Sequence, residues 1–559
     1  MIPILRRLLP LLFLPLLLQP AVAWPQASVN VSASDPVYRD IDKLVAHGLI
    51  KKIVMGQRPF SRREIARLTK EAMYYWQTKK ETASAGNVSY IETILDRLKK
   101  NYAEELVQLD ALPGEKRAVS AHLIEKAELD LTMTNSPAEA IPPVNPLGQI
   151  DAVINPLLDY RQGRHLVQGV NLGLETNHWL RASNHFAMLF RSRFQIGEGP
   201  ANDENRFDVL NLYGKFLIKN FEVEIGRDNL FYGQGKDAGL LLSNNPRGLD
   251  MIKISNDEPF FFPWVFKYMG AQKLSFFFSD LGPEQFFKNS YLVGYKWSME
   301  VNSFFEFGLF LATMSGGDGS PAASFGERVE DIFPFGQVTG SDQVQIGNKF
   351  AGFDLRFRIP PARGMELYLE FVADDYHDIF DSSQKLKKTF VYDAGYVAGL
   401  YLPRVDSAGK VDFRLEYHQT GLRYYRHGQF QGGWTLNRFL IGDNLGPNGR
   451  ALYATVNWDV NPQNIVSFNG AYEFRSNDIW QVEDPDFTFV KIQDNPDEKR
   501  YRFVGGWTHR MEDLPVTLLA SLGYERVSNF GWVQGVGRNN VLGQVQFQIN
   551  LDRWTHFPK

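Results

Sequence analysis

Cysteine is absent from all 559 residues, which excludes disulfides and thiolate metal sites. Strong charge of either sign is missing too. A formal net charge of −4 supplies no basic face for nucleic acid. Apolar runs long enough to span a membrane as helices do not occur after the N-terminus. Catalytic signatures are lacking as well. The chain has no HExxH and no GxSxG, and no Ser and His fall at a recognisable spacing. In GQGKDAG, Asp237 stands where a phosphate loop needs Ser or Thr. Neither an enzyme nor a cofactor is expected.

What is present begins with an export signal over residues 1–23. Arg6 and Arg7 precede an apolar core, Leu8 to Leu18, too short and too interrupted by Pro10 and Pro15 to span a bilayer. Ala21-Val22-Ala23 is a cleavage site before Trp24. Aromatic residues make up 14% of an exported, cysteine-free chain, a combination that fits a bacterial envelope protein.

Residues 24–133 read as a small helical domain. Asp35-Pro36 supplies N-cap and first-turn chemistry for a helix with Tyr38, Ile41, Leu44 and Val45 on one face. Ser61 and Glu64 form a capping box for a second, carrying Ile65, Leu68, Ala72 and Tyr75. A third runs from about Val88 to Leu109. The blocks YRDIDKLVAHGLI and RPFSRREIARL also resemble a degenerate S-layer-homology repeat, which implies a cell-wall partner for this head. Residues 134–148, rich in Pro, read as a linker.

From 149 to 559 the period changes to two. Val541, Gly543, Val545, Phe547 and Ile549 alternate with Gln544, Gln546 and Gln548; Phe353, Leu355 and Phe357 alternate with Asp354, Arg356 and Arg358. Segments of about 9–12 residues suit a tilted membrane crossing better than a soluble sandwich. The reading is a transmembrane antiparallel β-barrel of about eighteen strands with an N-terminal periplasmic helical domain. Short links (219–221, 299–303, 359–363, 402–409, 460–463, 511–514) alternate with long ones, as periplasmic turns and external loops do. Residues 256–270 (NDEPFFFPWVFKYMG) break the rule, falling where a short turn belongs, and suggest an interfacial aromatic segment. Arg356, Arg358, Glu366 and Glu370 face inward, where opposite charges on neighbouring strands pair.

Three loops carry candidate chemistry. DDYHDIFD groups Asp374, Asp375, Asp378 and Asp381 without EF-hand spacing, so a solvated loop is expected and no metal. Loop 419–449 combines Arg423, Tyr424, Tyr425, Arg426, Trp434 and Asp443. Aromatic faces stack on sugar rings while Arg and Asp take hydroxyls and carboxylates, so these six are the predicted polysaccharide-binding residues. His418 and His427 read as isolated. Loop 226–255 carries several Gly and a Leu240-Leu241-Leu242 run that needs burial, which predicts an inward fold with Tyr232, Gly233, Gly235 and Leu241 at a constriction.

The order signal, helical head, barrel resembles the Wzi family of capsule-assembly outer-membrane proteins. The blocks DPVYRDIDKLVAHGLI, GRDNLFYGQGKDAGLLLSNNPRGLDMIKI and GQFQGGWTLNRFLIGDNLGPNGRALYATVNW carry the likeness. It implies an eighteen-stranded barrel in outer-membrane lipid and a lectin-like role holding surface polysaccharide. A porin or sugar channel, and an envelope protein gripping cell wall through its head, are the alternatives.

Overall fold

The computed structural model describes residues 26–142, 144–145, 148–200, 203–333, 344–374, 389–483 and 488–554. The export signal at 1–23 and the acidic cluster beyond Asp374 lie outside them.

Eighteen antiparallel strands close into a barrel. The last, Gly537–Asn550, pairs with the first, Ser120–Thr134, placing Val545 opposite Leu131. Side-chain alternation decides which face meets lipid. Leu129, Leu131 and Met133 are exposed on the outside, whereas Asp130, Thr132 and Thr134 are buried toward the lumen. On the neighbouring last strand, Gln548 donates to Glu128 at 2.8 Å, and Gln544 and Gln546 reach Asp130 and Glu128. The inward charges pair across strands as their register requires. Arg358 lies opposite Glu366 with 3.1 Å between charged groups, and Arg356 reaches the same carboxylate at 3.3 Å.

The domain boundaries differ from the sequence reading at one place. Ser120–Thr134 is a barrel strand, not the tail of the helical domain, and 135–168 is the first long loop rather than a linker to a barrel starting at 149. Pro137 and Pro142 look like domain punctuation but follow the point where the chain leaves the wall and folds back inside. There Ile141, Ile150, Ala152 and Ile154 are buried.

The head consists of helices Val37–Ala46, Arg62–Lys79, Ala85–Asn101 and Ala103–Gln108 around one apolar core. Asp35 accepts from the Val37 N–H at 2.9 Å, and Ser61 caps Glu64 at 3.0 Å. Glu64 does not close the box; its carboxylate holds Arg67 instead. The predicted third helix is two, parted at Tyr102, where the backbone leaves helical geometry.

The head is docked at the short-turn end of the barrel. Arg39 binds Asp459 through two hydrogen bonds of 2.8 and 2.9 Å and Asp412 at 2.8 Å. Lys43, wholly buried, donates to the carbonyls of Pro403 and Gly409 at 2.6 and 2.8 Å.

Candidate functional site

Between its first two helices the head sends an extended segment, 53–60, into the lumen. Wall carboxylates receive its peptide N–H groups. Glu300 accepts from Ile53 at 2.9 Å, and Glu306 from Met55 and Gly56 at 3.0 and 2.7 Å. A buried N–H without a partner is costly, so these acids satisfy the peptide groups of Ile53, Met55 and Gly56. Gly56 has no room for a side chain: a Cβ there would stand 2.8 Å from Asp354 Oδ1.

From the other end, the 229–248 loop enters and meets this segment. Phe231 and Tyr232 pair antiparallel with Arg58 and Gln57 inside the barrel. Gly233 donates to the Gly56 carbonyl at 3.0 Å, and Arg58 lies 3.8 Å above the Phe231 ring and donates to the Gly235 carbonyl at 2.7 Å. Gln234 bridges Glu306 and Asp354 at 3.1 and 2.6 Å, and the Leu240 N–H reaches Glu370 at 2.6 Å. Leu240, Leu241 and Leu242 are buried, where open water would forfeit about 2 kcal/mol for each. Tyr232, Gly233, Gly235 and Leu241 thus all lie within the lumen.

The residues assigned from sequence to sugar binding occupy the same plug. Tyr424, Tyr425 and Trp434 are 0% exposed. Their polar atoms face the loop backbone: both tyrosine hydroxyls donate to the Leu240 carbonyl, and Trp434 Nε1 donates to the Leu241 carbonyl at 3.0 Å. The Trp434 ring sits 4.3 Å from that of Phe350 on the wall. Stacking on a sugar needs an open ring face, and these three offer none in this conformation. Asp443 is equally enclosed, accepting from Tyr160 at 3.1 Å and lying 2.6 Å from His418 Nδ1. His418 is therefore not isolated. Its partner is 25 residues away in sequence, beyond any spacing rule. Arg426 is also buried, its Nε without a hydrogen-bond partner among the described residues, and burial pushes its guanidinium down to about 10.

Arg423 alone of the six reaches the outer surface. It holds Asp393 by two 2.6 Å bonds, and its guanidinium stands 5.4 Å from the Phe489 ring. Around it, Tyr392 packs on Phe489 at 4.4 Å, and Lys491 lies 5.4 Å above Trp480. A second outward patch joins Phe286, 51% exposed, to the exposed pair Arg438–Asp151 at 3.0 Å. Sequence reading missed Trp480, Lys491 and Phe286 because none of them belongs to the run of Arg and aromatic residues in 419–449. No group of three or more His, Asp or Glu among the described residues is placed to hold a metal ion.

A family model described as capsule assembly protein Wzi matches residues 152–542. The chain belongs to the Wzi capsule assembly family. The fold agrees: Wzi of Escherichia coli, an outer membrane protein involved in group 1 capsule assembly and described as a carbohydrate-binding β-barrel, superposes with a TM-score of 0.64 at 15% identity, covering 93% of this chain and 99% of that one. OprD of Pseudomonas aeruginosa (11% identity, TM-score 0.40, 77% and 95% covered) and OccD3 of the same organism (10%, 0.40, 79% and 97%) are more distant. A sequence search among curated proteins finds no match. Wzi membership and the closed barrel place the protein in the outer membrane.

Proposed function

We propose that this protein is a non-enzymatic, lectin-like barrel that holds capsular or related polysaccharide at the cell surface, with its long loops outward and its head in the periplasm. The observation that carries this reading is the lumen filled from both ends, by 53–60 and by the 229–248 and 421–448 loops. A channel for sugars needs a passage, and a pore packed with leucine and tyrosine is unsuited to one. The carbohydrate binding of the Escherichia coli relative supports the choice of ligand class. Binding then belongs to the outward face, through Arg423, Trp480 and Lys491, with the buried tyrosines and tryptophan shaping that face from below.

The test compares two variants for retention of surface polysaccharide on cells. Arg423→Ala with Trp480→Ala and Lys491→Ala is expected to release it, while Tyr424→Phe, buried, leaves it in place. Full retention by the triple variant, with the barrel inserted, removes this face from the proposal. Single-channel recording in a planar bilayer separates the porin alternative, which predicts sustained current from the intact protein.

A further inference from the structure

One feature on the outside of the barrel has no part in the plug or the outer face. Residues 257–270 join strands Leu249–Asn256 and Ala271–Asp280 at the short-turn end, where the other links are brief. Their base packs on the outer wall. Phe260 pairs with Gln272 through hydrogen bonds of 2.9 and 2.7 Å, and Phe260 and Phe262 cover Leu274, Trp297 and Phe221. Leu274 lies opposite Trp297 in the ladder and on the same face as Phe276 and Phe278, with Phe278 exposed to the outside.

From this footing a short 3-10 helix, Trp264–Met269, projects outward. Trp264 is 86% exposed and Tyr268 75%, with Val265, Phe266 and Phe261 also exposed. Trp264 holds a φ of +68°, which an aromatic residue adopts only at a cost. So much apolar surface in water would be a liability in any soluble setting. Here it is continuous with the lipid-facing wall, where Phe216, Ile218, Ile225 and Ile252 are exposed in turn. Cations border it. Lys52 lies 5.1 Å from the Phe261 ring, Lys267 5.2 Å from that of Tyr268, and Lys51 is exposed beside Lys52.

We propose that this arm is a monotopic anchor, its Trp264, Val265, Phe266 and Tyr268 seated in the headgroup–acyl boundary of the phospholipid leaflet and its lysines toward lipid phosphates. Aromatic and aliphatic side chains with flanking Lys suit that depth. The arm fixes the docked head against the membrane as well as against the barrel. The choice of the periplasmic leaflet rests on the orientation proposed above; the insertion itself does not.

Because the chain lacks cysteine, a single introduced thiol is unique. Val265→Cys, labelled with a nitroxide and reconstituted into vesicles of phosphatidylethanolamine and phosphatidylglycerol, reports its depth by collision with oxygen against a water-soluble nickel chelate. Labels at Leu522→Cys, exposed on the lipid-facing wall, and Lys100→Cys, exposed on the head, give the lipid and water references. The expected result is a Val265 label relaxed more by oxygen than by the chelate, between the two references and nearer Leu522. Chelate accessibility equal to the Lys100 label overturns the proposal. So does spin–spin broadening that vanishes on dilution with unlabelled protein, which would assign the arm to a second copy of the chain.

Discussion

The Tyr425 hydroxyl donates to the Leu240 carbonyl and accepts from the Asp443 N–H at 2.7 Å, so one oxygen ties two long loops together. Tyr425→Phe leaves the Asp443 N–H buried without that acceptor, at a cost of about 1–3 kcal/mol, while the Leu240 carbonyl keeps the Tyr424 hydroxyl. A lowered Tm with surface polysaccharide still retained is the expected outcome. Gly233 is constrained differently. Its φ is +132°, and a Cβ would lie 2.1 Å from Glu370 Oε2. Gly233→Ala therefore loses about 1–3 kcal/mol, read again as Tm. Residue type foretold that this loop needed burial, through its three leucines. It could not tell whether Tyr424, Tyr425 and Trp434 face a sugar or a loop, because an aromatic ring with a polar tip serves either use. Only their distance from Leu240 and Leu241, some 190 positions earlier in the chain, decides it.

Among elements, the strands were the most legible. A period of two with Gln, Arg or Glu on one face survives tertiary context, because lipid on one side and lumen on the other enforce it. Ser120–Thr134 carries the same pattern, but it lies between the helices and four prolines, so in sequence it reads as part of the head. The intrusion of 53–60 left almost no trace beyond Gly56. The docked helix Val37–Ala46 offers a pH test. At its C-terminus His47 is half-buried beside the 403–410 turn, and burial together with Arg404, Lys43 and Lys79 pushes its imidazole down to about 3 from a usual 6.5. The unfolded state then binds the extra proton over that interval, so stability falls as pH drops from 6.5 toward 3. Asp42, held up to about 6 by burial and Glu366, works in the opposite sense between 3.8 and 6. Comparing the intact protein with His47→Gln isolates the first contribution. Protease sensitivity of the head should rise less steeply on acidification in the variant; identical profiles would remove His47 as the cause.

At the scale of the whole molecule, closure from two ends predicts graded opening. Deleting Gln234 to Asn245 empties the outer half of the plug and is expected to raise single-channel current in a planar bilayer. The head segment still covers the inner half, held by Glu300 and Glu306. A further opening is expected when Glu306→Ala is added, since two peptide N–H groups then lose their acceptor. Unchanged current in the deletion would mean the outer loops do not limit passage.

The small ladder between Gln57–Arg58 and Phe231–Tyr232 also bears on the order of assembly. Its strands are 175 positions apart (232 − 57), and the barrel wall that encloses it is closed by residues beyond 537. Contacts of such long range form late, after shorter hairpins have already been rewarded for their loop closure. Head and wall must therefore come together while the seam is still open or as it shuts, since a finished barrel admits the segment only through its narrow mouth. An outer-membrane assembly machinery working on this chain would handle a cylinder and its filling at once, and a chain stalled before that last pairing would be a leak in the membrane.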